Sequence, residues 1–193
     1  MPSEPAPLKV ESATGLLVGV RQVLSTHFDA RPSNVLPELI VVHGISLPPL
    51  EFGGPWIDQL FTGTLNRGRD AHPYFQQMPP GRVSAHVLIR RDGLIAQYVP
   101  FGERAWHAGK SEYRGRAACN DYSIGIELEG ADEVPYEEAQ YVQLARVVRA
   151  LLAAYPSLSS EHITGHSDIA PGRKTDPGPA FDWARFRGLL TRA

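Results

Sequence analysis

The sequence predicts an α/β fold, in which a central mixed β-sheet is flanked by helices in a single domain. A short apolar run at 39–43 and a second strand-like segment at 123–129 supply strands of the sheet. A helical spacing of apolar residues covers 137–155. Strand and helix patterns that follow one another in this way are typical of a sheet covered by helices.

The first strand runs from Leu39 to His43 and stops before Gly44. Its continuous apolar and β-branched composition is typical of a strand that is buried on both faces. Ligand sites in open α/β sheets tend to lie at the carboxyl ends of strands. We therefore expect His43 at an edge of the sheet where a site could form.

Two further strands are predicted as a hairpin. The segments 84–89 and 94–99 both have strand character, and Arg91-Asp92-Gly93 between them is a tight-turn signal.

The strand at 123–129 has two different faces, because side chains alternate along a strand. Its three apolar residues point one way, while Glu127 and Glu129 share the other face with Gly125. Two carboxylates are therefore expected on one side of the sheet.

Three helices are predicted. The longest spans 137–155, where apolar residues recur at steps of three and four and two glutamates lie in the first turn. Trp183, Phe186 and Leu190 mark a shorter helix near the carboxyl terminus, and a third helix is expected at 55–61.

Length and composition fit one domain. The chain has 193 residues, of which 42% are apolar, and this is enough to bury a substantial core. We expect a flexible lead-in at 1–10, followed by one domain at 11–193.

Charge and cysteine content exclude several classes of protein. The formal net charge is -2, so nothing favours binding to nucleic acid or to an anionic membrane. Cys119 is the only cysteine, which excludes an intrachain disulfide. No signal peptide or membrane-span pattern is visible. A cytoplasmic protein is therefore expected.

Candidate chemistry has to come from residues that are dispersed in the sequence. The motifs HExxH, GxSxG and GxxxxGK[ST] are absent, and so is a paired CxxC. Cys119 lacks a recognisable catalytic context and is interpreted as a buried thiol rather than as a nucleophile.

The seven histidines are a stronger signal, because neutral imidazole is a usual ligand of zinc and a catalytic zinc takes three protein ligands. The loop that contains His166, Lys174 and Asp176 also contains glycines and prolines, which restrict its conformations. From spacing alone, this segment could equally be a surface loop with incidental charges, and His43 could simply cap a core strand. His86 is interpreted as a buried histidine that orients a neighbouring group.

Three stretches carry a family resemblance: VVHGISLPP at 41–49, SIGIELEG at 123–130 and TDPGP at 175–179. From about Leu36 to Leu189 the chain resembles the AmpD amidases, which are cytoplasmic 1,6-anhydro-N-acetylmuramyl-L-alanine amidases. The resemblance implies the amidase type 2 fold, which peptidoglycan recognition proteins share. It also implies hydrolysis of the amide bond between the lactyl group of the anhydro-sugar and L-alanine, in peptidoglycan recycling.

The resemblance further implies which residues form the site. One Zn²⁺ per chain would be held by His43, His166 and Asp176. Glu127 and Lys174 would be the catalytic pair. Two imidazoles and one carboxylate are ligand types that suit a catalytic zinc with one open position.

Substrate recognition is implied for three more residues. Arg82 would meet a peptide carboxylate, and Trp106 and His107 would line the sugar or peptide cleft. Gly44 and Ala118 stand where the family commonly has asparagine and arginine, which leaves the chemistry untouched and leaves open how tightly the peptide end is bound.

Two other functions remain open from the sequence. The same fold also serves as a non-catalytic module that binds peptidoglycan fragments, and other amidases act on intact cell wall. The retained ligands and catalytic pair argue against the first, and the lack of a visible export signal or wall-binding domain argues against the second. The expected partner is a small muropeptide, with no nucleic acid, membrane or obligate protein partner.

Overall fold

The computed structural model describes residues 6–68, 70–79 and 81–191. The strands are β1 (Val10–Glu11), β2 (Leu16–Leu17), β3 (Arg21–Gln22), β4 (Phe28–Ala30), β5 (Leu39–Ile45), β6 (Val87–Ile89), β7 (Ile95–Gln97), β8 (Glu103–Ala105), β9 (Glu112–Tyr113), β10 (Arg116–Ala117), β11 (Ser123–Glu129) and β12 (Ile163–Gly165). The helices are α1 (Trp56–Thr62), α2 (Pro73–Gln77), α3 (Glu138–Ala154), α4 (His166–Ile169) and α5 (Trp183–Thr191), with a 3₁₀ turn at Cys119–Asp121.

Six strands form the central sheet, in the order β12-β5-β11-β6-β7-β3. Neighbouring strands run parallel except β6 and β7, which are antiparallel. This arrangement confirms the predicted mixed sheet. The other strands pair in three two-stranded sheets, β1 with β2, β4 with β8 and β9 with β10.

The predicted strands and helices are confirmed, with changes at their ends. The strand at 39–43 continues to Ile45, and β11 has the predicted bounds. The hairpin is present, but its first strand begins only at Val87. Earlier in this segment, the backbone N–H of Ser84 donates to the carbonyl of Trp106, 3.2 Å away, rather than to a strand of the central sheet.

The main core lies between the sheet and the two long helices α3 and α5. β11 contributes to this core the apolar side chains of one of its faces, as the alternation of side chains along a strand predicts. They pack against Leu144, Val148 and Leu151 of α3 and against Phe186 of α5, all of which are fully buried. The opposite face of the sheet is therefore left to smaller apolar clusters and to the polar residues of the site.

A buried amide fixes α3 on the sheet. Gln140 accepts a hydrogen bond from the backbone N–H of Glu137, 3.0 Å away, at the start of the helix. Its Nε2 donates to the carbonyls of Ile89 and Glu129, at 3.1 and 3.0 Å. A fully buried polar side chain is stable only when it is satisfied in this way. The first turn of α3 is thus tied to β6 and β11 together.

Residues 1–5 of the predicted flexible lead-in lie outside the described residues. Leu8 and Val10 pack against the main core, and the carbonyl of Ala6 accepts a hydrogen bond from Arg146 of α3. Across the described residues, no helix combines the length and the apolar character that crossing a membrane requires.

Replacing Leu144 by alanine tests the importance of the packing between α3 and the sheet. Because the side chain is fully buried, we expect its loss to lower the free energy of unfolding by about 2–5 kcal/mol. Urea denaturation followed by circular dichroism measures this change. Leu36→Ala is the control, since that side chain is 60% exposed and should change stability by less than about 0.5 kcal/mol. Equal losses in both variants would contradict the assignment of the core.

Candidate metal centre and active site

Strand pairing brings three of the predicted site residues close together on the sheet. His43 lies on β5, which is hydrogen-bonded to β12 on one side and to β11 on the other. Glu127 of β11 is the direct neighbour of His43, and Gly165 of β12 is the neighbour of Val42. His166 follows Gly165 at once. Three residues that are far apart in the sequence are therefore brought together by parallel register.

Three potential ligand atoms converge at this point. The Nδ1 atoms of His43 and His166 are 2.9 Å apart, and Asp176 Oδ2 lies 3.2 Å from the first and 3.1 Å from the second. Both histidines are almost completely buried, whereas the aspartate side chain is 14% exposed. Together they form a cluster that could hold a metal ion.

The contacts of the Nε2 atoms of His166 and His43 indicate which nitrogen of each ring carries the proton. His166 Nε2 is 3.3 Å from the carbonyl of Ala108, and a carbonyl can only accept. This contact places the proton of His166 on Nε2 and leaves Nδ1 with a lone pair. His43 Nε2 is 2.9 Å from Nδ1 of His107, whose Nε2 is 3.1 Å from Ser123 Oγ. The same assignment follows for His43 when its Nε2 donates along this chain.

This donor set fits a cation. Two imidazole lone pairs and a carboxylate oxygen that face one another at 2.9–3.2 Å repel unless a positive charge lies among them. Tetrahedral zinc has ligand distances of about 2.0–2.2 Å, which places its ligands roughly 3.3–3.5 Å from one another. The observed triangle is close to one face of such a tetrahedron.

The protonation states also suit metal binding. Burial lowers the pKa of His43 to about 4, so its imidazole is neutral near pH 7. Burial alone would raise the pKa of Asp176, but its close contacts with the rings of His166 and His43 outweigh burial and hold that pKa well below its ordinary value. The site therefore presents a neutral imidazole and an anionic carboxylate, which are ligand forms of these side chains.

Glu127 is a buried carboxylate with a free oxygen. Its side chain is 8% exposed, and Oε2 has no hydrogen-bond partner among the described residues. Burial raises its pKa well above the ordinary value, and the charge of Asp176 raises it further, while Lys174 opposes both effects. A carboxyl group with a raised pKa beside a ligand cluster is suited to accept and return a proton near neutral pH.

Glu129 lies on the same face of β11 but in a different environment. Its Oε1 accepts hydrogen bonds from the backbone N–H of Gly53, at 2.7 Å, and from Arg90, at 3.1 Å. Its Oε2 accepts from the backbone N–H of Arg91, at 3.3 Å. This carboxylate holds two loops on the sheet, so the two glutamates that the sequence places together have distinct surroundings.

Lys174 lies on the exposed loop between α4 and Asp176. Its backbone N–H donates to the carbonyl of Ala170, 3.0 Å away, which anchors the loop. Its ammonium group interacts electrostatically with both His43 and Glu127. This exposed cation close to the cluster can therefore face a molecule that enters the site.

His107 lies behind His43. Besides its contact with the His43 ring, its imidazole covers Gly125 of β11, where an added Cβ would overlap the ring. The backbone N–H groups of His107 and Ala108 both donate to Asn120 Oδ1, at 3.1 and 2.8 Å. These contacts suit a residue that orients His43, a predicted metal ligand. The predicted place of His107 in the substrate cleft stays a prediction.

Trp106 and Arg82 are both associated with His27. The indole N–H of Trp106 donates to Asp29, 2.9 Å away, and its ring stacks on His27 with centroids 6.1 Å apart. His27, Arg67 and Arg82 line a cavity of about 680 Å³ together with two leucines. The Nε atom of Arg67 is buried and has no partner within the part of the chain that the structure describes. The cavity is thus lined by two guanidinium groups.

Sequence reasoning missed several residues that support the site. Asn120, Ser123 and the carbonyl of Ala108 hold His107 and His166 in place. No periodicity or motif identifies a single amide or carbonyl of this kind. The expectations for two other residues are confirmed: His86 is fully buried and accepts a hydrogen bond from the backbone N–H of Gly125, and Cys119 is a buried free thiol.

Comparisons with known proteins show what the chain is similar to. The chain matches the model of the N-acetylmuramoyl-L-alanine amidase family over residues 32–179. It is similar to the 1,6-anhydro-N-acetylmuramyl-L-alanine amidase AmpD of Escherichia coli (strain K12), with 64% identity over 92% of this chain and 96% of the relative. The crystal structure of a selenomethionine AmpD derivative has a TM-score of 0.88 and 62% identity, and the match covers 92% of this chain and 98% of that one.

A more distant structure contains a ligand. It is the E. coli amidase AmiD in complex with the substrate anhydro-N-acetylmuramic acid-L-Ala-D-γ-Glu-L-Lys. Its TM-score is 0.57 at 26% identity, and the match covers 95% of this chain and 65% of that one. The fold that the sequence resemblance implies is confirmed by these matches.

The contact between Gly125 and His107 can be tested by Gly125→Ala. The added methyl group would overlap the imidazole, so we expect a loss of about 1–3 kcal/mol in the free energy of unfolding. Chemical denaturation measures the loss. Gly188→Ala in α5 is the matched control, because an added Cβ there meets no described atom within 4 Å and alanine favours helix. A Gly125→Ala protein as stable as the control would refute the close packing.

Proposed function

Because the chain belongs to the N-acetylmuramoyl-L-alanine amidase family, we propose that it hydrolyses the amide bond between the lactyl group of 1,6-anhydro-N-acetylmuramic acid and L-alanine. One zinc ion per chain, held by His43, His166 and Asp176, is part of this proposal. The observation that carries it is the convergence of these three donors beside the buried carboxylate of Glu127.

Zinc is preferred because of the chemistry of its ligands. Neutral imidazole nitrogen and carboxylate oxygen are both common zinc ligands, and three protein ligands leave one position for water or substrate. A zinc ion in this site supplies Lewis-acid chemistry, which polarises a carbonyl group and makes a water molecule more acidic. The hydrogen bond from His166 to the Ala108 carbonyl orients that ring for such a role.

Glu127 is proposed as the general base and then the general acid. Its free Oε2 can accept a proton from the attacking water, and burial makes the neutral form accessible. The same carboxyl group can then return the proton to the departing amine of L-alanine. Lys174 would place its ammonium beside the carbonyl oxygen as negative charge develops there.

The arginine-lined cavity is proposed to receive the stem peptide. Peptide carboxylates are anionic, and guanidinium groups bind them through paired hydrogen bonds. Arg82 and Arg67 provide two such groups in the lining of the cavity. Trp106, which stacks on His27 of the same cavity, would form the boundary between peptide and scissile bond. Neither Gly44 nor Ala118 adds a polar side chain, so these two arginines carry more of the recognition.

The proposed setting is cytoplasmic peptidoglycan recycling, with soluble muropeptide as substrate and residues 11–193 as one domain. The names of several relatives at 60–64% identity support the choice of an anhydro-sugar substrate. Mass spectrometry of products from purified anhydro-muropeptide, with whole sacculi as the competing substrate, tests the choice. Release of peptide from sacculi but not from anhydro-muropeptide would favour an enzyme of intact wall, and no product from either would favour a binding module.

His166→Ala tests the ligand assignment. Since two imidazoles and one carboxylate form the proposed set, we expect loss of both zinc and turnover, whereas the wild type should hold one zinc per chain. Elemental analysis of purified protein measures the metal, and product formation from anhydro-muropeptide measures the activity. His162→Ala is a suitable control, because His162 lies outside the cluster. Stoichiometric zinc and normal turnover in His166→Ala would show the assignment to be wrong.

Glu127→Ala and Glu129→Ala separate the two carboxylates of β11. Loss of a general base should lower kcat by roughly 10²–10⁴ and leave zinc content unchanged. Loss of Glu129 should instead lower stability by about 1–3 kcal/mol, because Arg90 and the N–H of Gly53 lose their shared acceptor. Saturating kinetics on metal-quantified protein and urea denaturation make the comparison. The opposite pattern would transfer the base role to Glu129.

A further inference from the structure

Tyr136 connects the core to the loop that carries Asp176. Its side chain is buried, and its hydroxyl donates a hydrogen bond to the carbonyl of Pro177, 2.9 Å away. Pro177 is the residue directly after Asp176. The hydroxyl therefore ends one peptide unit from the backbone of a proposed metal ligand.

Two glycines make room for the Tyr136 ring. A Cβ added to Gly44 would overlap the hydroxyl, and a Cβ added to Gly130 would overlap the ring edge. Phe181 closes the far side in an edge-to-face contact with centroids 5.6 Å apart. A ring enclosed by backbone on two sides has little freedom to rotate, so its hydroxyl is held at one position.

The segment before Tyr136 holds the same loop a second time. The carbonyl of Asp132 accepts a hydrogen bond from the backbone N–H of Ala180, at 2.9 Å, and Gly178 packs directly on the Asp132 backbone. On the other side, the carbonyl of Asp176 accepts from the backbone N–H of Ser167, at 2.9 Å. To these backbone contacts Tyr136 adds a side-chain hydrogen bond to the residue directly after the ligand.

We propose that Tyr136 is a positioning residue, which sets the Asp176 carboxylate against the two histidines and thereby sets the metal affinity of the site. The inference rests on the proposed zinc function. Loss of the hydroxyl would leave the Pro177 carbonyl without this buried hydrogen bond. The loop would then gain conformational freedom at Asp176, whose carboxylate oxygen has to stay in place for metal binding. Groups that orient metal ligands through hydrogen bonds typically change affinity by roughly 10–100-fold.

Tyr136→Phe tests the proposal, because phenylalanine keeps the ring contacts and removes only the hydroxyl. Tyr141→Phe is the matched control: its hydroxyl accepts from the backbone N–H of Asp182, 2.8 Å away, at the start of α5. The zinc dissociation constant is measured by competition with a chelator, and the absorption spectrum of the cobalt-substituted protein reports ligand geometry. Thermal unfolding of the metal-free proteins reports the fold.

We expect Tyr136→Phe to bind zinc about 10–100-fold more weakly than wild type and to shift the cobalt spectrum, whereas Tyr141→Phe should match wild type in both. Equal zinc affinity in wild type and Tyr136→Phe overturns the inference alone. A Tyr136→Phe chain that does not fold also overturns it, since the hydroxyl would then serve folding. Wild-type protein that binds no zinc overturns the proposed function, and this inference with it.

Discussion

The parallel pairing of β5 with β11 and β12 determines which residues of the three strands lie next to one another in the site. His43 is opposite Glu127 on one side, and on the other side the neighbour of Val42 is followed at once by His166. A slip of one residue in either pairing would turn the side chains of that strand to the other face. The apolar residues of β11 that face α3 would then exchange places with its carboxylates. Burial of the core therefore also enforces the geometry of the polar site.

The site residues are held by groups that are themselves fixed. His43 contacts His107, whose backbone is bound by Asn120 and whose ring lies on Gly125. His166 is oriented by the Ala108 carbonyl. Such partners restrict the rotation of each imidazole, so the donors are in place before any ion arrives. Glu127 is the exception, since its free oxygen is what a proton acceptor in this position requires.

The sequence predicts those strands and helices in which apolar residues recur at a regular spacing. β5, β11 and α3 are long enough for apolar spacing to identify them, and their bounds agree with prediction within about two residues. Strands such as β1 and β9 have only two residues each, which is too short for alternation to be detected. Spacing alone left His43 and the loop of Asp176 ambiguous. The resemblance to a family is what predicts them as metal ligands, because it draws on order along the whole chain.

Tertiary contacts explain what neither spacing nor resemblance predicts. The position of His107 behind His43 depends on the absence of a side chain at Gly125, which becomes meaningful only when the two segments are packed. The different surroundings of Glu127 and Glu129 depend on Gly53 and Arg90, which belong to other elements. Strand parity places both carboxylates on one face and does not distinguish them.

The distribution of the three donors along the chain has a consequence for biosynthesis. His43 and Asp176 are separated by 133 positions, and the contact between them depends on the pairing of β5 with β12. A ribosome exposes His43 long before it has polymerised the other two donors. The complete triangle can therefore arise only after the segment that carries Asp176 has left the exit tunnel and the distant segments have docked. A product that terminates before Asp176 would lack one of the three donors, so the cluster could not form in it however well the other strands had paired.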